Sequence, residues 1–536
     1  MSNEYAFDYL IIGAGPAGLQ LGYFLQQAGR SYVILEAGDS AGTFFKRFPR
    51  HRQLISNNKV YTGYDDPEVN LRFDWNSLIS DDSEPLFKDY SRQYFPPADN
   101  MVTYLQDYAR RYELNIRYDS RVCRVSRDGD FRVEDERGNV FTAKRLVVAS
   151  GFTKPNVPDI PGIELTENYV DVSVDPQDFV NQRVLVVGKG NSGFETAENL
   201  IPTAALIHVA SPRPVTMAWK THHVGHLRAV NNNFLDTYQL KSQNAVLDAT
   251  IERIEKKEGK LSVFVHYSHA QEETQELVYD RVIVCTGFRF DDSIFDASCR
   301  PALTINDRLP AQTSAWESTN VKDLYIAGTL MQMRDYKKIT SGFIHGFRYN
   351  VRALVRIFDE RYHGRPWPAQ PVDPSPEGLT EAMIRRINKT SALWQQFGFL
   401  GDVFALSPAG DRAFHFEELP VDYVHDTALG RSAHYYILTL EFGKITGDPF
   451  NIQRHPDPGR AAESAFLHPV LRRFRGGEML SEHHVLEDLY GEWRDDQLHV
   501  QPLLSYLRRD MGAAVVPELD LPEVALPAAS AEPILP

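Results

Sequence analysis

Two glycine runs have residue types and a spacing that could hold a pyrophosphate. They are Gly13-Ala14-Gly15-Pro16-Ala17-Gly18 and Gly188-Lys189-Gly190-Asn191-Ser192-Gly193. In each run the first glycine permits a tight turn, the second leaves room for the phosphates, and the third lets a helix pack closely on a strand. The N–H groups at the start of that helix then face the phosphates. The chain therefore has two candidate dinucleotide sites.

The elements around the first run strengthen this interpretation. Residues Tyr9 to Ile12 are apolar and predict a strand, and a helical pattern continues to Gln27. The next predicted strand, SYVILE, ends in Glu36, at the distance where a carboxylate accepts hydrogen bonds from an adenosine ribose. The alternative is a glycine turn with a surface glutamate. The combination of strand, turn, helix and acid favours dinucleotide binding.

The second run differs from the first at the end of its next strand. Val184 to Val187 predict the first strand, and ALIHVASPRP predicts the next. Ser211 stands where the first unit has Glu36, and Arg213 follows. A carboxylate would repel a 2′-phosphate, whereas a hydroxyl and a guanidinium can hold one. This favours NADPH over NADH, with a solvated surface role for Arg213 as the alternative.

Further segments resemble a known group of proteins. ASGFTKPNVPDIPG (149–162), VIVCTGF (282–288) and DLYIAGT (323–329) follow the order seen in two-dinucleotide flavoproteins, and resemble the NADPH-dependent flavin monooxygenases. PRHRQLISNNK and DYKKITSGFIHGFRY are more similar to the FAD-dependent oxidoreductase domain-containing family. The monooxygenase motif FxGxxxHS is not matched, because Tyr169 stands near the place of its histidine. The resemblance implies FAD and NADPH as cofactors.

The same resemblance assigns roles to five more positions. The chain from Gly151 to Gly162 would link the FAD and NADPH domains, Ala149 would contact a cofactor, and the strand at Gly287 would end beside the bound cofactors. Gly328 and Thr329 would meet the ribityl chain and pyrophosphate of FAD. Many relatives have an aspartate at the position of Thr329, and a hydroxyl can still contact those oxygens.

We therefore expect an α/β protein with two Rossmann-like domains and a smaller C-terminal α+β unit. HGRPWPAQPVDPSPEG is dense in proline and predicts a linker between domains. The predicted FAD-binding domain comprises 1–165 and 296–370, the NADPH-binding domain 166–295, the C-terminal unit 375–512, and a disordered tail 513–536.

Two residues are candidates for contact with the reacting groups. Asn58 could donate to the oxygenated flavin or to a substrate, or it could satisfy a loop backbone. His345 precedes a helical segment whose N-terminus, by resemblance, would point at the flavin. It could donate to flavin or substrate, or it could be a packing histidine.

Composition excludes several other classes of protein. A net charge of −15 argues against nucleic-acid binding. No apolar run is long enough to cross a bilayer and no leader pattern is present, so a cytoplasmic location is expected. His222, His223 and His226 lack a nearby carboxylate or cysteine at ligand spacing, so no metal site is predicted. A homo-oligomer remains open.

The leading functional prediction is an FAD-dependent, NADPH-using monooxygenase. It would transfer one oxygen atom from O2 to a small substrate, with N-hydroxylation of an amine as one form of the reaction. The first alternative is an NADPH-dependent reductase acting on a quinone or a protein partner. For disulfide chemistry, the three cysteines lack the neighbouring pair that such enzymes use. The second alternative is a flavoprotein interaction module.

Overall fold

The computed structural model describes residues 4–241, 244–267, 269–432 and 434–512. It is a mixed α/β protein whose largest sheets are a mixed seven-stranded sheet, a parallel five-stranded sheet and an antiparallel six-stranded sheet, so the predicted fold class is confirmed. The predicted disordered tail, 513–536, lies outside the described residues.

Strands and helices are numbered here in chain order. The strands are β1 (Glu4–Ile12), β2 (Tyr32–Leu35), β3 (Ile116–Arg117), β4 (Val122–Asp128), β5 (Asp130–Asp135), β6 (Val140–Val148), β7 (Lys154–Pro155), β8 (Glu167–Asn168), β9 (Arg183–Val187), β10 (Leu206–Ser211), β11 (Ala245–Asp248), β12 (Thr250–Lys257), β13 (Lys260–Tyr267), β14 (Glu273–Tyr279), β15 (Arg281–Val284), β16 (Phe288–Arg289), β17 (Leu303–Thr304), β18 (Leu309–Pro310), β19 (Leu324–Ile326), β20 (Ala369–Val372), β21 (Leu400–Leu406), β22 (Ala413–Pro420), β23 (His434–Phe442), β24 (Leu467–Arg475) and β25 (Glu478–His484). The α-helices are α1 (Pro16–Gln27), α2 (Thr43–Arg47), α3 (Pro67–Leu71), α4 (Ala98–Arg111), α5 (Asn191–Leu200), α6 (Ala218–Thr221), α7 (Asn233–Lys241), α8 (Ile344–His363), α9 (Pro376–Lys389), α10 (Ala392–Gln395), α11 (Val421–Asp426) and α12 (Gln501–Gly512).

The first sheet runs β3-β2-β1-β6-β5-β4, and β19 also pairs with β6. Its central pairs are parallel, and Ile12 lies opposite both Leu35 and Val148. Ile326 pairs with Val148 as well. Because these four strands end at the same edge, the residues that follow each of them meet there.

The second sheet repeats this arrangement with five parallel strands in the order β11-β10-β9-β15-β8. Val187 at the end of β9 lies opposite Ala210 and Val284. The antiparallel strands β12-β13-β14 form a separate sheet. Residues 188 and 285, which follow β9 and β15, and Ser211, the last residue of β10, therefore lie at one edge of the sheet.

The C-terminal unit is an antiparallel six-stranded sheet, β20-β22-β21-β23-β24-β25. The predicted linker is more structured than expected, because it contains β20 and the start of α9 and buries Trp367. Its prolines are tolerated because β20 is an edge strand. Leu354 and Ile357 of α8 share one hydrophobic cluster with Val403 and Phe416 of this sheet. The unit is thus packed onto the α8 layer through a common core.

In the part of the chain that the structure describes, no helix is both long and apolar enough to cross a membrane.

Candidate functional site

The first glycine run forms a turn that no larger residue could make without movement. Gly13 has φ +105°, and a Cβ there would lie 2.9 Å from the Ala149 carbonyl oxygen. A Cβ on Gly18 would lie 1.9 Å from the Gly13 oxygen, so α1 packs directly on the turn. At Gly15 no atom lies within 4 Å of the corresponding position. The turn is closed on two sides and open at its middle glycine, before Pro16 and Ala17 begin α1.

Glu36 connects this turn to the end of the second strand. It is 7% exposed, and its Oε2 accepts the Ala14 N–H at 2.7 Å while Oε1 accepts the Gly38 N–H at 2.8 Å. A carboxylate has about four lone-pair sites, so two acceptor positions are left for hydroxyl groups. Glu36 is placed beside the turn, as ribose binding would require.

The structure also brings Gly151, Gly328 and Thr329 to this edge. Gly328 has φ +79°, and a Cβ there would lie 2.6 Å from the Cβ of Ala17 at the start of α1. A Cβ on Gly151 would be 3.5 Å from Thr329 Cγ2. The Thr329 hydroxyl donates to the Gly342 carbonyl at 2.8 Å. That hydroxyl thus ties the strand end to the segment before α8.

The second glycine run has the same backbone form. Gly188 has φ +121°, and a Cβ there would lie 2.4 Å from the Cys285 oxygen. A Cβ on Gly193 would be 2.1 Å from the Gly188 oxygen, whereas Gly190 has no atom within 4 Å. Asn191 and Ser192 follow as the first residues of α5. This turn, Gly188 to Gly193, is called the second cradle, and the turn of the same shape at Gly13 to Gly18 is called the first cradle.

A buried lysine organises the phosphate side of this second cradle, and sequence reasoning missed it. Lys189 Nζ donates to the main-chain oxygens of Ser211 at 3.2 Å and Arg213 at 3.1 Å, and pairs with Asp248. The Ser211 hydroxyl donates to the Arg213 oxygen at 3.1 Å, and the Arg213 side chain is exposed. A charged residue inside a glycine run was the available signal in the sequence.

Gly287 lies where the chain passes between the first and the second sheet. Its φ is +78°, and its carbonyl accepts the Asn156 N–H at 2.9 Å. The adjacent strands β7 and β16 pair in an antiparallel manner there, so the two chain crossings are held together.

His345 lies in the first turn of α8 and is 1% exposed. Neither of its ring nitrogens has a hydrogen-bond partner among the described residues. The ring stacks on Trp75, with centroids 4.3 Å apart, and on Phe343. Burial, reinforced by Arg348 and Arg228, holds the pKa of His345 well below its usual range. The imidazole is therefore neutral, with one donor and one acceptor free for a bound molecule.

The contacts of Asn58 are those of a residue that supports its own loop, which was the alternative to donating to flavin or substrate. It is 3% exposed, and its amide nitrogen donates to the carbonyl oxygens of Ser91 at 2.6 Å and Gln93 at 3.1 Å. Both amide hydrogens are therefore used within the loop, and none is left to donate to a substrate in this conformation.

Two other residues from separate domains lie beside His345. Arg228 donates to the Ile55 carbonyl at 2.9 Å and to Asn57 Oδ1 at 3.1 Å. Its guanidinium carbon lies 5.3 Å from the centre of the Trp75 ring, within cation–π range. Neither Arg228 nor the Trp75 stack could be located from sequence, because the contacts join segments about 150 residues apart.

The C-terminal unit supports the loop before α8 through a buried polar network. Gln396 Nε2 donates to Ser341 Oγ at 3.1 Å and Asn350 Oδ1 at 2.8 Å, and its Oε1 accepts from the Thr340 hydroxyl at 3.1 Å. Asp335 accepts the Ser341 N–H at 3.1 Å, and burial raises the pKa of its carboxyl to about 7. The unit is thus part of the wall that positions His345.

Tyr169, at the place where a monooxygenase motif would have histidine, makes a contact between domains. Its hydroxyl accepts the Arg50 N–H at 3.1 Å and donates to Glu195 on α5. Burial raises the pKa of Glu195 to about 7, partly offset by the Tyr169 hydrogen bond. This places a titrating carboxyl where the two nucleotide domains touch.

The three clustered histidines make separate contacts. His222 stacks on Phe442, His223 Nδ1 contacts the Ile339 oxygen at 3.0 Å, and His226 Nδ1 contacts the Thr221 hydroxyl at 2.7 Å. Among the described residues, no group of three or more histidine, cysteine or acidic side chains is arranged to hold a metal ion.

Comparison with known proteins agrees with this geometry. The model of the pyridine nucleotide-disulphide oxidoreductase family matches residues 10–328, more than half of the chain. The chain belongs to this family. Within it, the chain is 38% identical over 555 residues to the FAD-dependent oxidoreductase domain-containing protein 2 of Mus musculus, covering 93% of this chain and 83% of that protein. The resemblance predicted from the sequence is confirmed.

Two solved structures of this oxidoreductase fold are similar to the chain. A flavin-containing monooxygenase from Stenotrophomonas maltophilia is 21% identical with a TM-score of 0.52, over 66% of this chain and 99% of that one. A bacillithiol disulfide reductase from Staphylococcus aureus is 16% identical with a TM-score of 0.50, over 67% of this chain and 99% of that one. The activities in their names differ, so the shared fold does not choose between the two reactions.

The residues present fit the dinucleotides that an oxidoreductase of this family would bind. The space at Gly15 and the free acceptor positions of Glu36 fit a pyrophosphate and a ribose. The two ring nitrogens of His345 have no partner among the described residues but are enclosed by their neighbours, so a ring system beside α8 reaches them only if those neighbours move. No atom lies within 4 Å of the Cβ position of Gly190 and the Arg213 side chain is exposed, so both are accessible to a second, phosphorylated dinucleotide.

Proposed function

We propose that this flavin-dependent oxidoreductase binds FAD in the first cradle and NADPH in the second, and acts as a monooxygenase. It would transfer one oxygen atom from O2 to a small substrate, with an amine nitrogen as one acceptor class. The observation that carries the proposal is the pair of cradles of one shape whose second strands end differently. One ends in the carboxylate Glu36, and the other in Ser211 with Arg213.

Each group of residues has a task in this proposal. FAD, when bound, supplies the hydride acceptor and the reaction with O2. The N–H groups at the start of α1 bind its pyrophosphate, and Glu36 orients its ribose. Arg213 binds the 2′-phosphate of NADPH. Neutral His345 can donate one hydrogen bond and accept one, while Trp75 shields the imidazole from water.

The cysteines count against disulfide reduction by the chain's own thiols. All three are free, and Cys285 and Cys299 are buried while Cys123 is exposed. Burial raises the pKa of Cys285 to about 12, which disfavours the reactive thiolate. This observation favours the monooxygenase over a dithiol mechanism. A reductase that passes electrons to a quinone or a protein partner is the second candidate, because the fold also serves reductases.

A stoichiometry experiment tests the proposal. Purified protein loaded with FAD is mixed with NADPH, O2 and a panel of small amines and sulfides. We expect product heavier by one oxygen atom, in amounts equal to the NADPH consumed. Repeating the assay with NADH measures the nucleotide preference. Peroxide as the only product in every mixture would contradict oxygen transfer, and rapid quinone reduction would then support the second candidate.

A further inference from the structure

The start of α5 in the second cradle holds the segment that carries Arg228. Asn191 Oδ1 accepts the Arg228 main-chain N–H at 3.0 Å, and its Nδ2 donates to the His226 oxygen at 2.9 Å. Asn231 Nδ2 donates to the same Asn191 oxygen at 3.1 Å. Asn191 is part of the glycine run itself, so the turn and the 226–231 segment are linked by direct hydrogen bonds.

The Arg228 side chain then crosses to the other nucleotide domain. Its two terminal nitrogens donate to the Ile55 carbonyl and to Asn57 Oδ1, at 2.9 and 3.1 Å. Its guanidinium also faces the Trp75 ring, and Trp75 stacks on His345 with an interplanar angle of 26°. A chain of contacts therefore runs from the second cradle through Arg228 and Trp75 to the ring of His345.

The charge of Arg228 is not neutralised locally. In the described residues no carboxylate lies within ion-pair distance of its guanidinium, whereas Arg386 and Arg473, which are buried in the C-terminal unit, pair with Asp402 and Asp510. Burial lowers the pKa of Arg228, yet an arginine stays protonated at neutral pH. Its interaction with Trp75 depends on distance, so a small movement of the 226–231 segment changes the field at His345.

We propose that Arg228 is a positioning residue that couples occupancy of the second cradle to Trp75 and His345 at the start of α8. Phosphates bound at the start of α5 fix the Asn191 turn, and Asn191 fixes the main chain of Arg228. The guanidinium is then held on the 55–57 loop and on Trp75. By reciprocity, binding of FAD beside α8 strengthens nucleotide binding in the second cradle by the same factor. This inference rests on the proposed function, since it takes the two dinucleotides to be FAD and NADPH.

The test uses the FAD-loaded protein and NADP⁺, without turnover. Calorimetry gives the NADP⁺ affinity, and the visible absorbance of the flavin shows whether NADP⁺ binding changes its surroundings. We expect a spectral change in the wild type. In Arg228→Met we expect the change to fall about fivefold or more, while the NADP⁺ dissociation constant rises less than about threefold.

Two further variants and a control sharpen the test. Arg228→Lys keeps the charge but loses the paired donors, and Asn57→Leu removes only one acceptor, so both should keep part of the spectral change. If Arg228→Met does not retain FAD, the spectra of Arg228→Lys and Asn57→Leu provide the test instead. Arg253→Met is the control, because Arg253 lies on β12, pairs with Glu255 at 2.8 Å and packs on Phe264. It should behave as the wild type.

Distinct results overturn the inference and the proposed function. A full spectral change in Arg228→Met, or no change in a wild type that binds NADP⁺, would overturn the coupling alone. A wild type that takes up no FAD, or gives no NADP⁺ binding heat, would overturn the proposed function and the coupling with it.

Discussion

The two glycine cradles have the same backbone conformation and differ in the residues that join the turn to the second strand. In both, the last glycine packs about equally close to the first, 1.9 and 2.1 Å from Cβ position to oxygen, and the middle glycine is open. In the first cradle the Ala14 N–H donates to Glu36. In the second, Lys189 stands at the place of Ala14 and donates to the oxygens of Ser211 and Arg213. In the proposed function, the shared backbone would bind the phosphates of either nucleotide, and the bridge to the second strand would select between the nucleotides.

The largest expected effect comes from the closing glycines. Gly18→Ala should destabilise the first domain by about 3 kcal/mol or more and abolish FAD retention, because its Cβ would overlap a main-chain oxygen. Gly193→Ala should abolish NADP⁺ binding, while the protein should retain its FAD and therefore its yellow colour. Flavin content, thermal melting and calorimetry measure both. Gly15→Ala and Gly190→Ala are matched controls with open space, so they should melt normally and lose only ligand affinity. Normal FAD content in Gly18→Ala would refute the comparison.

The next effect is on nucleotide choice. Ser211→Glu gives the second cradle the acid that the first one has, and it should repel the 2′-phosphate. We expect the ratio of kcat/KM for NADPH to that for NADH to fall about 100-fold, equivalent to about 2.7 kcal/mol. Steady-state rates of flavin reduction with each nucleotide give the ratio. An unchanged ratio would mean that the 2′-phosphate lies elsewhere.

Removing the buried lysine should have a smaller effect on the same site. Lys189→Met frees the Ser211–Arg213 turn and leaves Asp248 without its partner. We expect the NADPH dissociation constant to rise about tenfold, or 1.4 kcal/mol, with FAD content unchanged. Lys256→Met, an exposed charge change in the same domain, should leave NADPH affinity as in the wild type. Equal effects of the two variants would show that only net charge matters.

A separate effect, on stability and not on ligand binding, is a pH dependence that comes from the second domain. The pKa of Glu195 is raised by burial from 4.5 to about 7, so the folded state binds its proton more tightly than the unfolded state does. The resulting stability is fully present below pH 4.5, falls as pH rises, and is lost above about 7. Melting temperatures should fall by a few degrees over this range, and Glu195→Gln should flatten the decline. The same slope in the variant would assign it to another group.

The prediction from sequence was strongest where the chemistry lies in one continuous segment. Gly13 to Gly18 and Gly188 to Gly193 each form a turn from adjacent residues, so spacing alone located them. It was weakest where a side chain has two plausible neighbours. Asn58 could have faced a ligand or its own loop, and the structure places its amide on Ser91 and Gln93. The proline-rich segment before α9 also contains a strand, because an edge position accepts proline.

The amino-acid sequence by itself determined the two cradles, their order and the different ends of their second strands, since each depends on local backbone geometry and on residue type. Only the tertiary structure decided the surroundings of His345 and of the loop before α8. Trp75 stacks on His345, Arg228 faces Trp75, and Gln396 donates to Ser341 in that loop, although these residues come from distant parts of the chain. Such contacts depend on how whole layers pack against each other, and this packing cannot be predicted from the spacing of residues along the chain.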